Sequence, residues 1–549
     1  MSAGHYDWII IGSGFGGSVS AHRLTQKGYR VLVIEKGRRF GAEDFPKSNW
    51  NLKRWMWSPK LGLKGTFQMS FLRHITVLHG VGVGGGSLSY ANTLPMPTQE
   101  FFTASSWGHL ANWEQELEPH YQAARRMLGV ARNPVMTTGD HILKEIADDI
   151  GRSDHFHPTE VAVFFGEPDR KVPDPYFDGE GPNRVGCNFC GACMTGCRVG
   201  AKNTLDQNYL YLAEKHGAEV RPDTEVVAVR PRDGGGYDVE TKPTFSKKGA
   251  QVFEAPRVIF AGGVMGTLPL LLKMKEDSGA LPQISDRVGD FVRTNNESLI
   301  AVVSPEKEYN FSKGIAITSI LHTDEHSHIE PVRYASGSGF FRTMLTPHSP
   351  GSTLIGRFFG ALGSLLRHPI HWIRSLTVRD YARQSQVLLY MRTLESTLRL
   401  RLGRGLRNGF QRGLVTELDE GAEAPSAFMK DATDLANRFA AKVKGVTVTL
   451  LTESILGVPS TAHILGGACM GDSAETGVIN SKHEIFNYPG LYVIDGAAIS
   501  ANPGVNPALT ITALAERAMS FIPKKVDVAP GQERDPKPQE PQVKVNLSV

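Results

Sequence analysis

An α/β fold built on a parallel sheet is predicted by three features near the start of this 549-residue chain. Trp8 to Ile11 form an unbroken apolar run, as expected of a strand covered on both faces. Gly12, Gly14 and Gly17 follow in GxGxxG spacing and lead into a helical stretch of Ala, Leu and polar residues. A second apolar run, Val31 to Ile34, ends at Glu35. The chemistry requires this arrangement. Glycines let the backbone approach a pyrophosphate at a helix N-terminus, and an acid about 20 positions further on accepts ribose hydroxyls. The module is therefore a Rossmann-type dinucleotide site, and by itself it does not separate NAD from FAD.

Residues 79–97, HGVGVGGGSLSYANTLPMP, hold a second glycine run with Gly84, Gly85, Gly86 and Ser87. Apolar residues flank it closely. That favours backbone packed against something flat, a second cofactor contact, over a solvated surface loop.

Composition bounds the remaining possibilities. A hydrophobic share of 41%, a charged share of 21% and a formal net charge of +4 are ordinary for a globular chain. No apolar run approaches the about 18 residues needed to cross a bilayer, and MSAGHYDWIIIGSG enters a strand without a signal-peptide pattern. The expectation is a cytoplasmic or peripheral membrane protein. Basic residues do not interleave with aromatics along a groove, which argues against nucleic acid as a partner.

Residues 462–517, AHILGGACMGDSAETGVINSKHEIFNYPGLYVIDGAAISANPGVNPALTITALAER, complete a pattern. With the N-terminal fingerprint and the GVGGGS loop, this segment resembles the glucose-methanol-choline (GMC) oxidoreductase family, and within it the cholesterol-oxidase-like branch. The resemblance implies FAD as cofactor and an FAD-binding domain interleaved with a substrate-binding domain on a β-sheet. Residues 1–100, 185–295 and 455–522 would form the former, and 101–184 and 296–454 the latter. It also implies His463 as the active-site histidine and Asn506 as the second polar residue beside the flavin. Asp495, followed by Gly496, would lie near the ribityl and pyrophosphate, and the Val226 backbone would meet the adenine. Tyr90, Ala91 and Asn92 stand where sterol oxidases usually show Asn-Gly-Gly.

The chemistry agrees with these assignments. Oxidising an alcohol by hydride transfer to flavin N5 requires removal of the hydroxyl proton and a polar group to hold the oxygen. A histidine and an asparagine amide can share those tasks. A carboxylate from the substrate domain is a rival base that the sequence does not identify.

Four of the five cysteines, Cys187, Cys190, Cys193 and Cys197, lie within GCNFCGACMTGC, and Cys469 lies far downstream. Clustered thiols in a reducing compartment are more often ligands or redox groups than disulfides. The C-x5-C-x3-C triplet resembles one in the flavin subunits of bacterial membrane-linked sugar dehydrogenases, where it holds an iron-sulfur cluster. The full stretch is also similar to the bacterial ferredoxin run, although Arg198 replaces the proline that would follow it. Free or structural thiols, zinc and disulfides remain alternatives. The packet precedes an expected helix over 203–216 and an expected strand over 225–229.

Residues 385–402 read as sheet roofing the flavin. Between Arg342 and Arg412 there are 12 Arg, no Lys, one Asp and one Glu, interspersed with Leu, Ile, Phe and Trp. Two accounts fit: an amphipathic helix covering the core with its arginines outward, or an interfacial helix that docks on anionic lipid. Pro369 would kink or divide it. From Pro523 the chain is rich in Pro and charge and reads as a flexible tail.

The sequence thus points to oxidation of a secondary alcohol on a bulky apolar molecule, a 3β-hydroxysterol foremost. The same proton-handling group could also move a double bond by enolisation. Electrons would pass to oxygen, or through a cysteine-bound cluster to a quinone or redox protein. The rivals are a dehydrogenase for a sugar or terpenoid alcohol and a flavin electron-transfer subunit without alcohol chemistry.

Overall fold

The computed structural model describes residues 5–526, except 247, 352, 368, 395, 406–407 and 419–423. Most of the expected tail, 527–549, lies outside the described residues. A five-stranded parallel sheet runs in the order Glu219–Arg221, Val31–Ile34, Trp8–Ile11, Arg257–Phe260, Leu491–Val493. Its strands come from segments far apart in the chain, and the central Trp8, Ile9 and Ile10 are fully buried. The expected helix follows as Phe15–Gln26, packed against helices Tyr209–Lys215 and Ala508–Ser520. Two glycines are obligatory here. Gly12 has φ 104°, and a Cβ on Gly17 would lie 2.1 Å from the Gly12 carbonyl oxygen, so a side chain would lift the helix off the strand.

The second layer is a seven-stranded antiparallel sheet in the order Leu345–Pro347, Val446–Leu450, Ser298–Val303, Ser385–Arg392, Ser327–Val332, Ser319–His322, Phe156–Pro158. Strand periodicity divides its residues between two faces. Ile300, Val302, Ile329, Leu388 and Tyr390 pack beneath helices Thr138–Asp149 and Lys430–Lys442. The alternate residues Leu299, Ala301, Val332, Val387 and Leu389 face a large cavity toward the parallel sheet.

Local departures from the sequence reading have identifiable causes. The helix expected over 203–216 is a 3-10 turn, Leu205–Gln207, followed by helix Tyr209–Lys215, because the Asn208 side chain accepts from the Tyr209 N–H at 2.6 Å and caps a fresh start. The adenine-side strand is longer than expected, Thr224–Pro231. The stretch 385–402 splits into strands Ser385–Arg392 and Thr397–Arg404, which belong to different sheets. Asn92 has φ 66°, a left-handed conformation that asparagine tolerates and glycine favours.

The arginine-rich segment forms helices Leu354–Arg367 and Pro369–Leu376, divided at Pro369. Their exposed side is apolar: Ile355 is 66% exposed, Leu366 71% and Ile370 73%, with Phe358, Phe359 and Ile373 beside them. Arg357 instead turns inward, donating to the Gly351 and Ile455 carbonyls at 3.0 and 3.1 Å. Arg367 and Arg374 point outward as the core-covering account expects, and Arg357 is the exception. Trp372 fixes the pair to the sheet by packing with Ala301 and Val448.

Candidate active site

One cavity of about 560 Å³ runs from the C-terminal ends of the parallel strands to the underside of the antiparallel sheet. That is where doubly wound sheets bind their ligands. Gly12, Gly14, Glu35, Gly85, Gly86, Val226, Asp495 and Gly496 line it, and so do His463 and Asn506. Gly17, Gly84 and Ser87 do not. Gly17 packs helix on strand, while the Ser87 hydroxyl donates to the Gly84 carbonyl at 2.7 Å and accepts from the Leu205 N–H at 3.0 Å, shaping the turn from beneath.

The lining fits FAD. A Cβ on Gly85 would lie 2.6 Å from the Gly14 Cα, so the two glycine loops meet without side chains and leave a backbone-walled cradle. Glu35 stands at the end of its strand, and its carboxylate accepts from Ser13 N and Oγ at 3.1 and 2.8 Å and from Gly37 N at 2.8 Å. Asp495 accepts from Gly263 N, Thr267 Oγ1 and Ala497 N at 2.6–2.8 Å. Burial nevertheless lifts its pKa to about 6, against the lowering effect of those donors. Gly262 and Gly263, ahead of helix Val264–Glu276, also line the cavity and were not singled out from the sequence. The signal was present as a glycine pair between the apolar strand Arg257–Phe260 and a helix.

At the far end, Asn506 Nδ2 and His463 Nε2 are 3.4 Å apart. Asn506 Oδ1 is buried without a hydrogen-bond partner among the described residues. His463 Nδ1 lies 2.7 Å from Oε1 of Glu297, a fully buried carboxylate that the sequence did not reveal. Thr461 Oγ1 donates to the same carboxylate at 2.7 Å and Ala462 N at 3.0 Å. Burial alone would raise the Glu297 pKa, but His463 and these donors hold it below the ordinary carboxylate value. Glu297 is therefore held as a carboxylate 2.7 Å from His463 Nδ1, although that ring nitrogen makes no well-formed hydrogen bond among the described residues. It is a carboxylate close to the histidine of the kind the sequence left unidentified, and its contact is with His463 Nδ1.

Glu453, which accepts from Ser460 N at 3.1 Å, is raised by burial to about 8. Its folded form holds a proton that the unfolded chain releases near the usual carboxylate pKa, so its contribution makes stability fall as pH rises from about 5 to about 8. Glu453→Gln keeps the acceptor for Ser460. It is expected to lose fewer degrees of Tm than the parent between those pH values, as read by thermal melting.

The expected cluster at Cys187, Cys190, Cys193 and Cys197 does not fit the thiols as placed. All four border a cavity of about 20 Å³, enough for one water-sized sphere. Among the described residues, however, no three His, Cys, Asp or Glu side chains are arranged to hold a metal. Burial is the first cause raising the thiol pKa of Cys187, of Cys190 (to about 11) and of Cys193. The five cysteines, Cys469 included, are free thiols. Lys202 is buried behind them, donating to the Leu88, Tyr90 and Cys193 carbonyls at 2.8–3.2 Å. It ties the cysteine loop to the glycine-rich loop.

Cradle, acid and histidine-amide pair together define a flavin-dependent oxidoreductase. Residues 7–329 match the FAD dependent oxidoreductase model and residues 420–515 the GMC oxidoreductase model. The chain is 45% identical to a cholesterol oxidase of Acinetobacter baumannii over 95% of both chains. It is 46% identical to a cholesterol oxidase of Mycobacterium tuberculosis, covering 95% of this chain and 91% of that one. A solved pyridoxine 4-oxidase from Mesorbium loti shares the fold, with TM-score 0.61 at 13% identity over 94% of this chain and 99% of that one. The chain belongs to the GMC oxidoreductase family, in its cholesterol-oxidase-like branch, and is an FAD-dependent oxidoreductase acting on CH–OH donors.

Proposed function

We propose that the protein oxidises the secondary hydroxyl of a bulky apolar alcohol, a 3β-hydroxysterol, to the ketone, with oxygen as electron acceptor. The observation that carries this reading is the Glu297–His463 pair, with Asn506 beside it, at the end of a cavity roofed by Leu299, Ala301, Val332, Val387 and Leu389. FAD, when bound, supplies the hydride acceptor. His463 Nε2 takes the hydroxyl proton, and the charge formed on the imidazole is balanced by Glu297. The Asn506 amide holds the substrate oxygen. The apolar roof accepts the fused rings and excludes water. Names of relatives support substrate and acceptor, since two that share nearly half their residues with this chain are cholesterol oxidases.

The test is a panel of sterol, terpenoid and sugar alcohols, each assayed with oxygen and with an artificial dye. Ketone and hydrogen peroxide formed one to one from the sterol support the reading. Turnover of only a sugar, or only with the dye, would replace it with the dehydrogenase alternative.

We further propose that helices Leu354–Arg367 and Pro369–Leu376 dock on anionic lipid and admit substrate. Arg367 and Arg374 are exposed beside the apolar row, and Leu345 and Val448, against which these helices pack, line the cavity. No helix among the described residues is long and apolar enough to cross a membrane. Ile355→Ser with Phe359→Ser is expected to weaken binding to anionic vesicles about tenfold or more. Turnover of detergent-dispersed substrate should stay unchanged. Equal vesicle binding by parent and variant would contradict the docking surface.

A further inference from the structure

The hydroxyl proton taken by His463 lies deep in a largely apolar pocket, and one edge of the antiparallel sheet offers it a way out. Glu330 and His328 are two residues apart on strand Ser327–Val332 and so share a face with Val332, which lines the cavity. His322 lies directly opposite His328 on the next strand, with ring centroids 5.6 Å apart. His157, on the edge strand Phe156–Pro158, has its ring 5.5 Å from that of His322 and is exposed to solvent. At the inner end, His328 Nε2 is 3.9 Å from Glu330 Oε1, and Glu330 interacts with Asn506, the neighbour of His463.

The polar atoms along this row are short of partners. His328 Nε2 and both carboxyl oxygens of Glu330 are buried without a well-formed hydrogen bond among the described residues. Leaving such atoms unpaired is costly, so their presence together on the cavity face of the sheet calls for a function. We infer that Glu330, His328, His322 and His157 form a proton-conducting row between the catalytic pocket and the surface. The inference rests on the alcohol-oxidising reading above.

Neutral groups suit this task. Burial lowers the pKa of His328 to about 3 and of His322 to about 4, and raises that of Glu330 to about 8. Near neutrality the His328 and His322 imidazoles each carry one N–H and one lone pair, and the Glu330 carboxyl carries a proton it can donate. A proton enters at one end as another leaves at the other, and no buried group need hold a lasting charge. The charged and titratable neighbours are Glu297 beside Glu330, His463 beside His328, and His155 and Arg152 beside His322. A small side-chain rotation would bring His328 Nε2 and Glu330 Oε1, 3.9 Å apart, into hydrogen-bond range. Per turnover, the alcohol C–H leaves as hydride to the flavin and the O–H proton leaves by this row. Reoxidation by oxygen to peroxide takes up a proton, which returns the same way.

The test is anaerobic single turnover of the FAD-loaded enzyme with a sterol in weak buffer, following flavin absorbance and a soluble pH indicator together. In the parent protein, proton release is expected to keep pace with flavin bleaching. In His322→Phe, a half-exposed site where a ring of similar size is retained, bleaching extent and FAD content should be unchanged. Proton release should lag about tenfold or more and recover with added imidazole. Glu330→Gln should lag similarly from the inner end. A parent enzyme that bleaches without releasing a proton, or two variants whose release keeps pace with bleaching, would overturn the relay. Absence of bleaching in the parent would instead overturn the alcohol-oxidising reading beneath it.

Discussion

His463→Ala is expected to lower kcat by about 10²–10⁴-fold, the range typical of removing a positioned acid-base group, while FAD content stays at the parent level. The separation follows from the geometry. His463 reaches the cavity only at its far end, whereas the cradle is made by Gly12, Gly14, Gly85, Gly86 and Asp495 on other elements. Losing the imidazole removes the acceptor for the hydroxyl proton and leaves Glu297 as an ionised carboxylate without its counterpart. The flavin spectrum and FAD-to-protein ratio check binding, and single-turnover bleaching checks chemistry. A variant that bleaches at the parent rate would show that another group takes the proton. A variant that loses FAD would show that the histidine serves the cofactor.

Glu297→Gln is expected to cost a similar factor, about 10²–10⁴ in kcat, with KM little changed, by the logic of an orienting carboxylate behind a catalytic histidine. The amide cannot satisfy every partner of the carboxylate. If its NH₂ replaces Oε1, it faces His463 Nδ1 and favours the tautomer protonated on Nε2, which has no lone pair for the substrate. If it replaces Oε2, it faces the Ala462 N–H, donor against donor in a buried site. A kcat loss with unchanged KM and FAD content supports the positioning role. Parent-like kcat at neutral pH would contradict it.

The cofactor site was more legible in the sequence than the chemistry beside it, for a physical reason. Gly12, Gly14 and Glu35 belong to one continuous strand-turn-helix-strand, so their spacing carries the geometry. Asp495 and Gly496 sit in an equally local turn. Glu297 and Glu330 acquire meaning only from tertiary pairing. One meets His463 and the other Asn506 across long chain separations; alone, Glu297 reads as one more polar residue after Thr294, Asn295 and Asn296, and Glu330 as a polar residue within a strand. The mixture of Leu, Ile, Phe and Trp with recurrent Arg between Arg342 and Arg412 pointed to an amphipathic helix but carried no information about which side faces out, and Arg357 turned inward. The cysteine spacing matched ligand patterns, and the loop gathers all four thiols around one small cavity without arranging three of them to hold a metal.

The most direct test of the central claim is to mix the purified, FAD-containing protein with a 3β-hydroxysterol in the absence of oxygen. The geometry predicts loss of the oxidised flavin spectrum, one ketone formed per flavin, and return of the spectrum with peroxide on admitting oxygen. A correctly folded protein that takes up no FAD, or whose flavin stays oxidised with every alcohol offered, would contradict it.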